Sequence, residues 1–173
     1  MKKITGKIRV LLILSLVLVN IGCDQISKTV VRKTIAPNEK IDVFQNNFVL
    51  TKLENSGAAY SLGADLAPVL KIIFLQIVPV VVLLILLRLI LTNTGYSKET
   101  IFGFTCIIGG GIGNLYDRII HGSVTDFMIV NWGIIKTEIF NLADVSIMIG
   151  SFIILITALF NKKGSFLKEK KAY

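Results

Sequence analysis

Residues 109–120 read Gly-Gly-Gly-Ile-Gly-Asn-Leu-Tyr-Asp-Arg-Ile-Ile, and the fold turns on how this stretch is read. It closes an apolar run that starts near Thr100, and Asn114, Asp117 and Arg118 stand at the end of that run. Gly122, Val124, Thr125, Asp126 and Phe127 follow, and after a connection comes Phe140-Asn141-Leu142-Ala143-Asp144. A charge at the edge of a bilayer core is costly and is kept where it serves a purpose. The glycines invite comparison with a phosphate loop, but no Gly-Lys-Ser/Thr follows them. Gly109 and Gly113 are four apart in an apolar segment, the spacing that lets two membrane helices approach closely.

Working outward, the same pattern recurs. The chain has 173 residues, of which 53% are hydrophobic and 17% charged. A soluble domain of this length rarely has that composition. The apolar residues fall in four blocks, 8–30, 66–91, 100–120 and 140–160. Each approaches the roughly 20 residues needed to cross a ~30 Å hydrocarbon core. The expected fold is therefore an all-α polytopic membrane protein with four transmembrane helices, forming one membrane domain over residues 1–173. Segments 31–65 and 121–139 lie outside the blocks. Ile41–Phe44, Phe48–Leu53 and Phe127–Val130 read as short strands. Pro79 predicts a kink in the second helix.

The net charge of +8 does not point to nucleic acid. The basic residues flank apolar blocks without aromatic interleaving, so they read as topology signals. The N-terminus, the Thr92–Glu99 link with Arg88, and the C-terminal tail hold eleven Lys and Arg; the two opposite segments hold five. Both termini are therefore expected in the cytoplasm. Helices 1 and 3 then end outside, and helices 2 and 4 begin there. Every polar motif falls at the outer leaflet boundary: Asp24 and Lys28, Asn55–Ser61, Asn114–Arg118, Asp126 and Asp144.

Asp24 and Lys28 are four apart, acid first, which puts them on one helix face. Beside a membrane core they read as a structural or substrate-positioning pair. Asp117, adjacent to Arg118, reads as ion-paired and holding the scaffold. The only histidine, His121, has no metal-ligand spacing around it and reads as interfacial, as does Trp132. Cys23 and Cys106 lie in apolar blocks and read as small membrane-buried side chains. The remaining chemistry is carboxylate chemistry. Two aspartates that share one proton act as base and acid, and desolvation and like-charge repulsion both favour that sharing. Asp126 and Asp144 are the best pair, because both sit where the chain leaves or enters the membrane outside.

These residues resemble a known family, the lipoprotein signal peptidases (signal peptidase II), which are bacterial membrane aspartyl peptidases. Asp24-Gln25-Ile26-Ser27-Lys28 resembles its first box, and Asn55-Ser56-Gly57-Ala58-Ala59-Tyr60-Ser61 its second. Gly113–Arg118 with Gly122 and Val124–Phe127 resembles the third, and Phe140–Asp144 the fourth. Order and spacing hold over nearly the whole chain. Gly111 stands where Ala is common, and Thr125 where an aliphatic residue is common. The resemblance implies catalytic Asp126 and Asp144. It also implies that Asp24, Lys28, Asn55, Gly57, Asn114, Asp117, Arg118, Asn141 and Ala143 shape or line the site. It implies a diacylglyceryl-modified prolipoprotein substrate cut just before the lipidated Cys, with no metal or cofactor. Further implications are a small extracytoplasmic β-platform, a lid-like arm, membrane lipids as surroundings, inhibition by globomycin-type cyclic peptides, a monomer, and residence in the bacterial inner membrane.

Two rival readings differ in class. A small channel or transporter would spread its charges through the membrane depth, whereas these cluster at one face. A lipid-anchored protein is suggested by Lys2, Lys3, Lys7, Arg9, the apolar Val10–Val19 run and Asn20-Ile21-Gly22-Cys23, which mimic a lipoprotein signal peptide. Against it, Asn20 is polar, and three more apolar blocks follow.

Overall fold

The computed structural model describes residues 6–58 and 62–160. Ala59, Tyr60 and Ser61 of the second motif, and the basic residues at 2–3 and 162–171, lie outside the described residues. The order is α1 (Gly6–Thr34), β1 (Ile41–Phe44), β2 (Phe48–Asn55), α2 (Pro68–Thr92), α3 (Lys98–His121), β3 (Val124–Trp132), β4 (Ile135–Lys136) and α4 (Leu142–Phe160). Three of these helices, α1, α2 and α4, are long and apolar enough to cross a membrane. The fourth long helix, α3, is the glycine-rich one and lies at the centre, against α1, α2 and α4.

The burial pattern is inverted relative to a soluble protein. Leu18, Ile26, Val69, Leu84, Met148 and Phe152 are all more than 60% exposed, while Asp24, Lys28, Asp117 and Asn141 are at most 1% exposed. Exposed apolar belts of this extent suit lipid as solvent. The buried residues of α1, Ile13, Val17, Asp24, Lys28 and Val31, share one face of the helix. One apolar core, with Ile13, Val17, Leu83, Ile90, Ile108 and Leu115, joins α1, α2 and α3. A second joins the end of α1 to the sheet through Val31, Ile35, Phe127 and Met128.

Glycine makes the α3 contacts possible. A methyl group on Gly110 would meet the Ala143 carbonyl, and one on Gly103 would lie 2.9 Å from the Gly150 carbonyl. One on Gly113 would lie 2.5 Å from the Asp24 carboxylate. Helix ends follow local chemistry. Ser97 caps α3 by accepting from the Thr100 N–H at 3.2 Å, and Gly122 closes it in the left-handed region at φ 77°. Pro68 stands at the start of α2, where its missing N–H costs nothing. Pro79 leaves the Leu75 carbonyl without its donor, and the preceding turn, Ile73–Ile77, widens into a π-helix.

The strands form an antiparallel order β1-β2-β3-β4. β1 and β2 are a hairpin whose turn holds Gln45 and Asn46 at positive φ. β2 and β3 pair over Phe48↔Val130 to Asn55↔Val124. That pairing carries Asp126 to a position opposite Leu53, two residues from Asn55.

Candidate active site

Asp144 is held by the start of its own helix. Asn141 is the residue before α4. Its Oδ1 accepts from the Asp144 N–H at 3.0 Å, and the Asp144 Oδ2 accepts from the Asn141 N–H at 3.1 Å. This is a reciprocal capping box in an Asn-x-x-Asp sequence. The other Asp144 oxygen, Oδ1, accepts from Asn114 Nδ2 at 2.8 Å.

Asp126 comes from β3 and meets the same asparagine. Asn141 Nδ2 donates to Asp126 Oδ1 at 2.6 Å and to Asn114 Oδ1 at 3.1 Å. Asn55, at the end of β2, donates to Asp126 Oδ2 at 3.0 Å. Asn141 thus touches both carboxylates, one through its side chain and one through its backbone. Burial pushes the Asp126 carboxyl up from the ordinary carboxylate range to about 6. The bonds from Asn55 and Asn141 oppose that rise, and the Asp144 charge adds to it.

Beneath the two carboxyls lies a buried ionic cluster. Lys28 Nζ contacts Asp24 Oδ2 at 2.8 Å, Asp117 Oδ2 at 2.9 Å and Asn114 Oδ1 at 2.8 Å. Asp24 Oδ1 accepts from the Ala143 N–H at 3.0 Å, so α1 helps cap α4. Burying ions is costly unless each is paired and hydrogen-bonded, and here each is. Asp117 is paired with Lys28 and Arg32, the latter at 2.8 Å, and not with its neighbour Arg118. Successive helical residues point about 100° apart, so Arg118 faces elsewhere. Its Nη2 donates to the Gly57 carbonyl at 2.8 Å, tying α3 to the loop after β2. Asn55 shapes that loop, accepting from the Gly57 N–H at 2.9 Å.

A cavity of about 430 Å³ opens over this arrangement. Asn55, Asn114, Arg118, Asp126 and Asp144 supply most of its polar wall, with Thr137 and Glu138 beside them. Val124, Ile139, Phe140, Val145, Ile147 and Met148 supply an apolar one. Among the described residues, no group of three or more His, Cys, Asp and Glu side chains is arranged to hold a metal ion.

Asp24, Lys28, Asn114, Asp117, Asp126, Asn141, Ala143 and Asp144 thus form one hydrogen-bonded cluster, with Asn55 bound to Asp126. Gly57 and Arg118 form its rim. Cys106 is buried, Cys23 exposed on the outer face of α1, and His121 exposed with its ring against Tyr116. Sequence reasoning missed Gln25, Arg32, Glu54 and Thr125 as partners in the network. Gln25 Nε2 donates to Asp24, Asp117 and the Gly113 carbonyl, each at 3.1 Å. Arg32 was legible in principle, since it stands four residues after Lys28 on the same helix face.

Residues 16–160 match the family described as Signal peptidase (SPase) II. A lipoprotein signal peptidase of Desulforapulum autotrophicum is 34% identical over 142 residues, 82% of this chain and 88% of that protein. One of Neisseria gonorrhoeae is 36% identical over 150 residues, covering 87% and 90%. A solved bacterial membrane enzyme superposes with a TM-score of 0.79 at 25% identity, over 93% of this chain and 94% of that one.

Proposed function

The chain belongs to the signal peptidase II family of aspartic-type proteases, and from that premise we propose that Asp126 and Asp144 cut prolipoproteins just before a diacylglyceryl-modified Cys. Lipoprotein processing by a multi-pass membrane protein is what the family and the three apolar helices indicate. The finer reading rests on one observation: two carboxyls from different elements line one cavity and share Asn141.

In this reading a water sits between the two carboxyls. Both Asp144 oxygens accept hydrogen bonds, one from the Asn141 backbone and one from the Asn114 side chain, which fixes the carboxyl in the cavity wall. Asp144 takes the proton of the water as it attacks the scissile carbonyl. Asp126, with its raised proton affinity, holds the shared proton and gives it to the carbonyl oxygen, leaving a neutral gem-diol. As that collapses, Asp144 passes the water's proton to the leaving amine and Asp126 recovers one from the gem-diol, so the pair again shares a single proton. Arg118 and the loop of Asn55 and Gly57 frame the peptide, and the apolar wall takes the lipid. Asp24, Lys28, Asp117, Asn114 and Ala143 hold the two carboxyls in register.

The placement follows the charge asymmetry of the sequence. Four helices span the bacterial inner membrane, both termini are cytoplasmic, and the site opens at the outer leaflet. The sheet forms the extracytoplasmic platform, the chain works as a monomer, and globomycin-type cyclic peptides compete for the cavity. The deciding experiment incubates purified protein with a lipobox peptide, with and without diacylglycerol on its Cys, and maps the cut. Cleavage before the lipidated Cys is expected, with the unlipidated peptide cut poorly. Equal rates on the two peptides would reject the substrate assignment.

A further inference from the structure

Arg32 takes no part in the motifs, yet it joins the two sides of the site. It sits near the end of α1, with its side chain 21% exposed. Its Nη2 donates to Asp117 Oδ1 at 2.8 Å, and its Nε donates to Thr125 Oγ1 at 2.8 Å. Thr125 immediately precedes Asp126 on β3, and adjacent strand residues point to opposite faces. Asp126 faces the cavity, and Thr125 faces α1 with no exposure to solvent.

The Thr125 hydroxyl has one proton and two lone pairs. Its proton goes to Glu54 Oε1 at 2.9 Å, and a lone pair receives Arg32. Glu54 is the cross-strand partner of Thr125 on β2 and also accepts from Ser123 at 2.7 Å. A hydroxyl engaged in both directions has one orientation, so this segment of β3 is fixed from behind. The other arm of Arg32 reaches Asp117, which contacts Lys28; Lys28 binds Asn114, and Asn114 donates to Asp144.

We propose that Arg32 is a positioning residue, setting Asp126 against Asp144 by clamping Thr125 and Asp117 with one guanidinium. This rests on the aspartyl reading of the site. Charge compensation alone does not account for Arg32, because Asp117 keeps Lys28 at 2.9 Å and Gln25 at 3.1 Å without it. What Arg32 alone supplies is the tether to Thr125. Lys cannot reproduce a two-acceptor planar fork.

The test compares kcat and KM on the diacylglyceryl lipobox peptide for purified Arg32→Gln, Arg32→Lys, Thr125→Val, Thr125→Ser and the Arg32→Gln/Thr125→Val double variant. Misplacing a reacting group by 1 Å can cost about 100-fold. Arg32→Gln and Thr125→Val should therefore each lower kcat by about 10- to 100-fold, with KM changed less than about threefold. Thr125→Ser should keep wild-type kcat, and Arg32→Lys should resemble Thr125→Val. The double variant should be no worse than the poorer single one. Wild-type kcat in Thr125→Val, or losses that multiply in the double variant, would overturn the clamp. Should Arg32→Gln fail to fold, the Thr125 pair decides alone. Asp126→Asn is assayed beside them. Its inactivity with a fully active Arg32→Gln removes the clamp only, whereas an active Asp126→Asn removes the aspartyl reading and the clamp together.

Discussion

At the scale of single residues, the proposed reaction is a problem of placing one proton between two carboxyls. Asn keeps the shape of Asp but neither takes a proton from water nor holds an acidic one. Asp126→Asn and Asp144→Asn should each lower the cleavage rate by orders of magnitude, and the double variant should be little worse than either, because the pair acts as a unit. Both should fold: an Asn at 144 still offers an oxygen to the Asn141 N–H, so the helix cap survives. Substantial cleavage by either purified single variant would sink the dyad. The proton also fixes the pH behaviour. The Asp126 carboxyl is raised to about 6 by burial, so the folded protein holds a proton that the unfolded chain releases near pH 4. That contribution to stability is present at low pH and lost as pH rises through about 6. The alkaline limb of kcat/KM should fall in the same region, and Asp126→Asn should remove the corresponding slope in stability. A stability profile unchanged by that substitution would contradict the assignment. The two aspartates were legible because acid residues beside long apolar runs have few bland explanations. Arg32, Glu54 and Thr125 were not, because their roles depend on β2, β3 and α1 meeting. Only the pairing Glu54↔Thr125 and the packing of α1 against it bring them together.

At the scale of elements, α3 carries the argument, and glycine is why it can. A Cβ on Gly110 would meet the Ala143 carbonyl and come within 2.9 Å of Ile147, so Gly110→Ala must push α4 away. Overpacking of this kind costs typically ~1–3 kcal/mol, and it would displace Asp144 as well. Gly22 offers the contrast, since nothing lies within 4 Å of its missing Cβ. There, Gly→Ala in a helix interior should stabilise by up to about 1 kcal/mol. Thermal unfolding in detergent should show Gly110→Ala melting lower than wild type and Gly22→Ala equal or higher, with activity lost only in the first. An unchanged melting point and rate for Gly110→Ala would refute the close-packing account. Helix existence was plain from the apolar blocks, but their ends were not. The first apolar block ends at residue 30, but the helix runs on to Thr34, and Lys28 and Arg32 near its end are paired inside the protein. The strands also run longer than their apolar cores, to Asn55 and from Val124, since cross-strand pairing continues through polar residues that periodicity does not flag.

At the scale of the whole molecule, the protein is arranged with its apolar surface outward and its ions inward, and its orientation decides what the site can reach. A substrate lipidated on its Cys is anchored at one leaflet, so a cavity opening at the wrong face would never meet the scissile bond. The sheet and the polar cluster lie together at one end of the helices, with the Thr92–Glu99 link between the opposite ends of α2 and α3. Arg9 marks that second end: its guanidinium donates to the carbonyls of Ile90, Leu91 and Asn93, where α2 finishes. A cation at a helix C-terminus is favourable, and basic residues concentrate on the cytoplasmic side. The second of these underlies the proposal that the Arg9 end is cytoplasmic. Cysteine labelling reads this directly, once Cys23 and Cys106 have been replaced by Ala. A cysteine at Asn46, in the exposed β1–β2 turn, should react in intact cells with a membrane-impermeant thiol reagent. One at Thr94, exposed in the link, should react only after the cells are opened. Labelling in the reverse pattern would turn the molecule over and place its cavity in the cytoplasm, out of reach of an exported lipid-bearing precursor.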